Sequence, residues 1–335
     1  MTPPRNGHEP RLSLSEFHTE DAPMAACLKR AAVAAATDLP VLILGESGTG
    51  KTLLANAIHN SSSRAARSFI SFNGAALSDT LLDSQLFGHE RGAFTGAHQR
   101  VKGKFELADG GTLFIDEIAD LSTTAQSKIL RAIEYGEFER LGGEAIHVAD
   151  VRLISATHYP LQRLAESQRF RHDLFFRIKG IAITIPPLRE RSSDISMLAK
   201  YFIERFCRDL NKKPLMLAPS AVEELHAYSW PGNVRELQNC IERAVILTEG
   251  DTIHARHLNL SFRDTIPSAA TTGPWDEIDL SGSLAEASRR ILTEVERRKI
   301  EQALKDAGSN KGRAADILQV SYKTFTAKLR EYGFE

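Results

Sequence analysis

No stretch of the 335 residues approaches the roughly 20 consecutive apolar residues of a membrane-spanning helix, and the N-terminal segment lacks the basic-then-apolar order of a secretory signal. Cysteine is scarce. Cys27, Cys207 and Cys240 make an odd number with no CxxC spacing, which argues against a disulfide framework and against a zinc site. A reducing compartment, the cytoplasm, is the expectation. Charge bias is missing too: 42 Lys and Arg against 43 Asp and Glu leave a formal net charge of -1, so any DNA-binding surface has to be local.

What is present is enough apolar material, 42% of the chain, for real cores in one large domain or two to three smaller ones. Residues 1–14 carry Pro, Gly, Asn and charge without periodicity and read as a mobile tail with no room for a sensory domain. Short apolar runs at 41–44, 69–72, 112–115, 151–156 and 181–185 then alternate with longer amphipathic stretches. That alternation predicts an α/β fold over 15–188, a mainly parallel sheet covered by helices. Pro186-Pro187 stops the last strand, and 189–260 keeps helical periodicity with no strand candidates, a small helical lid. Residues 261–283, loaded with Ser, Thr, Pro and Gly, read as a flexible linker to a helical domain at 284–335.

The octapeptide GESGTGKT at 45–52 directly follows a strand candidate and opens a helical pattern, the context that a phosphate-binding loop requires. Gly45, Glu46, Ser47, Gly48, Thr49 and Gly50 supply a backbone that curls around phosphate oxygens. Lys51 brings charge to the β and γ phosphates, and Thr52 is placed to coordinate Mg²⁺. A glycine-rich turn with an incidental lysine is the competing reading. Downstream, the strand candidate at 112–115 ends on Asp116 and Glu117. Asp116 suits a second Mg²⁺ contact and Glu117 the polarisation of a water attacking the γ-phosphate, although an acidic pair ending a strand is more often a solvated turn when it stands alone.

GHERGAFTGA at 88–97 resembles the signature loop of the sigma-54-dependent activators, the bacterial enhancer-binding proteins of the AAA+ superfamily. The resemblance covers about 15–260 and 284–335. From the residues alone, Gly92 and Gly96 flank an apolar ring on a turn-forming loop, and a buried Phe under an ordinary turn is the alternative. What the resemblance implies is that Gly92, Ala93, Phe94, Thr95, Gly96 and Ala97 contact sigma-54 RNA polymerase and move with the nucleotide state. It also implies that Asn73 restrains the catalytic Glu117, that Arg171 and Arg177 enter a neighbouring subunit's ATP site, and that Arg235 is the second sensor arginine. Each arginine could equally lie on a solvated helix face. Assembly into a ring, a hexamer in this family, follows from arginines supplied in trans.

Two positions depart from the family pattern. Thr52 stands where many relatives have Glu, which makes Mg²⁺ coordination more conventional. The first sensor, usually Thr-Asn, reads Thr157-His158 here; histidine can donate to phosphate or to the attacking water, or can be merely structural.

At the C-terminal end, helical segments at 289–307, 311–318 and 322–332, with Ser309-Asn310 and Ser321 at cap positions, have helix-turn-helix spacing. This part resembles the Fis-type domain of enhancer-binding proteins, with small Ala314 and Ala315 allowing close packing. Its charge is only mildly basic, eleven Lys and Arg against eight Asp and Glu. Lys311, Ser321, Tyr322, Lys323, Thr324, Thr326 and Lys328 are the expected DNA-facing residues, and a plain helical hairpin for assembly is the alternative. The function so implied is an ATP-driven activator that binds enhancer DNA and remodels the closed promoter complex. A separate regulatory protein would supply the signal. A helicase loader, which lacks the 92–97 loop, and a repressor with a decayed ATPase are the other classes.

Overall fold

A computed structural model of the chain describes residues 12–75 and 78–260, and in the C-terminal part residues 293, 296, 297, 299–301, 303, 304, 307, 310–318 and 320–332. Residues 12–260 belong to one compact unit and the C-terminal residues to a second. The linker expected at 261–283 lies outside the described residues, as do residues 1–11 of the expected tail. The Leu12 carbonyl accepts from Asn60 Nδ2 at 2.9 Å, and Leu14–Glu16 forms a 3-10 turn, so residues 12–14 of the expected tail pack on the core unit.

The strands in chain order are β1 (Val41–Leu44), β2 (Phe69–Asn73), β3 (Gly88–His89), β4 (Val101–Lys102), β5 (Thr112–Asp116), β6 (Glu137–Glu139), β7 (Ile146–Val148), β8 (Arg152–Thr157), β9 (Ile181–Thr184), β10 (Met216–Leu217) and β11 (Thr252–Ile253). The central sheet has the order β2-β5-β8-β1-β9, with every pairing parallel. The inner strands β5, β8 and β1 are buried almost throughout because both faces are covered, while the edge strand β2 leaves Ser71 and Asn73 exposed. Val41, Ile43, Phe114, Ile154, Ala156 and Ile183 point into the core under helices Ala22–Ala35 and Lys51–Asn60. Leu42, Leu113, Ile115 and Leu153 point the other way, into the core shared with Asp79–Phe87, Thr123–Tyr135 and His172–Ile178.

Local signals fix the helix ends. Asp21 Oδ1 accepts from Met24 N ahead of Ala22–Ala35, Ser122 caps Thr123–Tyr135, and Gly136 closes that helix in the left-handed region. The lid packs Ser192–Asp209, Pro219–Ala227 and Asn233–Leu247 around the fully buried Trp230, whose indole N–H donates to Leu225 O at 2.8 Å. One expectation needs correcting: the lid holds the short parallel pair β10-β11, Met216 beside Thr252 and Leu217 beside Ile253. Two residues per strand are too few for an alternating pattern to register.

In the C-terminal unit, Lys311–Ile317 and Tyr322–Glu331 enclose Ala314, Ala315, Phe325 and Leu329. Asn310 Oδ1 accepts from Gly312 N and Arg313 N, and Ser321 Oγ from Thr324 N at 3.1 Å, so both turns carry side-chain caps; Ser309 lies outside the described residues. No helix among the described residues is long and apolar enough to cross a membrane.

Candidate nucleotide site and partner-facing loops

The parallel register sets Asn73 beside Asp116, and it carries β1 and β8 out together to Leu44 and Thr157. Asn73, Asp116, Thr157 and the 45–52 loop therefore share one carboxyl edge of the sheet, where open α/β sheets bind ligands. Gly50 caps Lys51–Asn60 in the left-handed region, so the loop delivers Lys51 at the N-terminal end of a helix. The Lys51 ammonium donates to Gly45 O at 3.0 Å and Glu46 O at 3.3 Å, and lies 3.7 Å from Glu117 Oε1.

Glu117 adopts φ 52, a left-handed backbone that is uncommon for a residue with a side chain. The turn re-aims its carboxylate at the loop. Oε2 accepts from His158 Nδ1 at 2.8 Å and from the His158 backbone N–H at 3.3 Å. Asn73, expected beside this carboxylate, instead accepts from Ala75 N through Oδ1 at 2.8 Å. Burial raises the Asp116 pKa, and the neighbouring Glu117 charge adds to the rise. Thr157 is fully buried and its hydroxyl accepts from Tyr159 N at 3.1 Å.

The lid is stitched to this loop by residues that local pattern did not single out. Arg189 donates twice to Glu46, at 2.8 and 2.6 Å, and holds its carboxyl below the ordinary range. The Asn233 amide is fully buried; it donates to Glu46 Oε2 and Ser47 O and accepts from Leu188 N. Arg235 reaches Ser47 Oγ at 3.3 Å, and its backbone N–H donates to Gly48 O. Gly48 sits at φ 80 with the Gly232 carbonyl pressed against it, so a Cβ there would run into that oxygen. Gly48→Ala is expected to cost the docked lid about 1–2 kcal/mol from backbone conformation alone. At least about tenfold weaker binding of a fluorescent ATP analogue should follow; unchanged affinity would mean that lid docking is dispensable.

Arg171 caps His172–Ile178. Its backbone N–H donates to the buried Gln126, while its guanidinium holds Asp173 at 2.7 Å and Ser127 Oγ at 2.9 Å. Arg177 is exposed and reaches Ile133 O at 3.4 Å. None of these contacts is to the 45–52 loop.

In the 88–97 loop, Gly92 and Gly96 have φ 85 and 104 with open space where a side chain would be, so the turn geometry itself calls for glycine. The loop closes on Gly92 N to Ala97 O at 2.8 Å. Phe94 is half-buried, its ring edge-on to that of His89 at 5.0 Å, while Thr95 is exposed. The ring thus sits on an exposed loop, as one sequence reading has it, with part of its surface covered by His89. The loop leans on the β6-β7 hairpin: Glu90 accepts from the buried Arg140 at 2.7 Å, and Arg140 also holds Glu106 at 2.6 Å.

On helix Tyr322–Glu331, Tyr322, Lys323 and Thr324 are exposed, as are Ser321 and Lys311; Thr326 is half-buried with its hydroxyl on Tyr322 O. Lys328 is half-buried. Its ammonium is drawn to Glu296 at 2.6 Å beside the Tyr332 ring. Arg313 and Arg330 are exposed basic side chains that the sequence reading passed over.

Against known families, residues 17–184 match the sigma-54 interaction domain, 189–274 an AAA+ ATPase lid domain, and 291–332 the Fis family of bacterial regulatory proteins. The chain is 45% identical over 306 residues to the transcriptional regulatory protein ZraR of Klebsiella oxytoca, covering 91% of this chain and 66% of that protein. It is 45% identical over 292 residues to the Nif-specific regulatory protein of Klebsiella pneumoniae, of which it spans 54%. The crystal structure of NtrX from Brucella abortus in complex with ATP superposes with a TM-score of 0.72 at 32% identity, covering 95% of this chain and 69% of that one. With an AAA+ core whose carboxyl edge gathers loop, carboxylates and lid arginine, the chain belongs to the family of proteins built on the sigma-54 interaction domain.

Proposed function

We propose that the chain is a sigma-54-dependent transcriptional activator of the cytoplasm, which hydrolyses ATP to remodel a promoter-bound RNA polymerase from the closed to the open complex. The observation that carries this reading is the glycine-hinged 92–97 loop on the same compact unit as a P-loop site with its carboxylates and lid in place. Gly45 to Gly50 would wrap the phosphates, with Lys51 and Arg235 supplying positive charge to them.

Mg²⁺ fits the donor set: Thr52 and Asp116 offer hard oxygens, and Asp116 is a half-buried carboxylate beside a second one, which a divalent cation would relieve. Bound there, the ion would neutralise charge on the β and γ phosphates. Glu117 takes the proton of the attacking water, and Arg171 and Arg177 act in the site of the next subunit of a ring, a hexamer by family analogy. The C-terminal helix-turn-helix holds enhancer DNA through Lys311, Ser321, Tyr322, Lys323, Thr324 and Thr326. A separate protein supplies the control.

Open-complex formation with sigma-54 polymerase, with ATP and with a non-hydrolysable analogue, tests the reading; equal opening with both would defeat it. On the same assay Thr95→Ala should keep most of its ATPase and lose promoter opening by about tenfold or more, the range expected when a contact at an interface centre is removed. Full transcription by that variant would remove the loop from the mechanism.

A further inference from the structure

We infer that His158 is the positioning residue for Glu117, acting through its proximal ring nitrogen, and is not a ligand of the phosphate or the water. The inference rests on the reading of Glu117 as the base.

Three features carry it. Glu117 Oε2 takes two donors from one residue, Nδ1 at 2.8 Å and the backbone N–H at 3.3 Å, while Oε1 is left facing the Lys51 ammonium at 3.7 Å. The carboxylate acceptor fixes the tautomer, since the ring can donate to it only as Nδ1–H. Tyr159 lies against the imidazole at a centroid distance of 3.8 Å and limits its rotation.

The arrangement divides the labour between the two carboxylate oxygens. Oε2 is held, and Oε1 is presented at the mouth of the phosphate loop, free to take the proton of the attacking water. Glu117 needs such a holder because its left-handed backbone sets only the direction of the side chain, not the plane of its carboxylate. Among the described residues no hydrogen bond joins Asn73 to Glu117; Asn73 Oδ1 accepts from Ala75 N.

The nitrogen in use makes the test sharp. An asparagine amide nitrogen overlays Nδ1 of histidine, whereas a glutamine amide reaches the position of Nε2. ATPase rate and ATP affinity should therefore be measured on the full chain for His158→Asn, His158→Gln and His158→Ala, each alone and combined with Glu117→Gln. The loss expected for the Gln and Ala variants is about 10- to 100-fold in kcat, the worth of one hydrogen bond to a charged group, with Asn rescuing most of it. ATP affinity should stay unchanged, and no further loss should appear in the Glu117→Gln background. A glutamine variant as active as the asparagine one, three equal variants, or losses that multiply with Glu117→Gln would overturn the inference alone. Wild-type turnover in Glu117→Gln itself would overturn the base reading and this inference with it.

Discussion

Glu117→Gln is expected to bind ATP with unchanged affinity and to turn it over about 10²- to 10⁴-fold more slowly, the range that a positioned general base contributes. The amide keeps the shape of the side chain and one oxygen for the His158 donors, so the active-site architecture is retained. What disappears is an anionic oxygen on the Lys51 side of the carboxylate, 3.7 Å from the ammonium, where the water has to give up its proton. Calorimetric titration with ATP reports the first half of the expectation and steady-state phosphate release the second. A variant that hydrolyses at the parent rate would take the proton away from Glu117.

The other large effect should come from the arginines. Arg171→Ala should lower turnover by about 10³-fold or more, the worth of an arginine acting on the transition state from a neighbouring subunit. Within one chain Arg171 is bonded to Asp173 and Ser127, and its backbone is pinned by Gln126, which also donates to Leu121 O just beyond the Glu117 turn. On the proposed reading these contacts hold an exposed guanidinium in one orientation at the helix start, and a neighbouring subunit's phosphates would have to draw it from Asp173. The ATPase rate per protomer should accordingly rise with protein concentration, and mixing Arg171→Ala with Lys51→Ala protein should restore some turnover at mixed interfaces. A rate independent of dilution, together with no complementation, would place catalysis within a single chain.

The mild basic character of the C-terminal region bears on DNA affinity. With Lys328 drawn to Glu296, the exposed cations of the helix-turn-helix include Lys311, Arg313, Lys323 and Arg330. The sequence reading assigned Lys328 by its place in the segment, and Arg330 went unnoticed because the side of a helix turned to solvent is known only once the packed side is.

Sequence alone determined the features that depend on neighbours along the chain. The five strands of the sheet were legible as short apolar-rich runs because covered strands of a parallel sheet carry apolar residues toward both faces, the phosphate loop because glycine spacing after a strand leaves few other uses, and the turn before Tyr322–Glu331 because Ser321 can bond the next turn of backbone. Tertiary structure decided which side chains meet. Glu46 finds Arg189 across 143 positions, Arg140 reaches Glu90 across 50, and Glu117 is handed to His158 rather than to Asn73. The reason is geometric: periodicity encodes which face a residue occupies, whereas the partner on that face is set by strand order and by two or three backbone angles, such as φ 52 at Glu117, that no local pattern records.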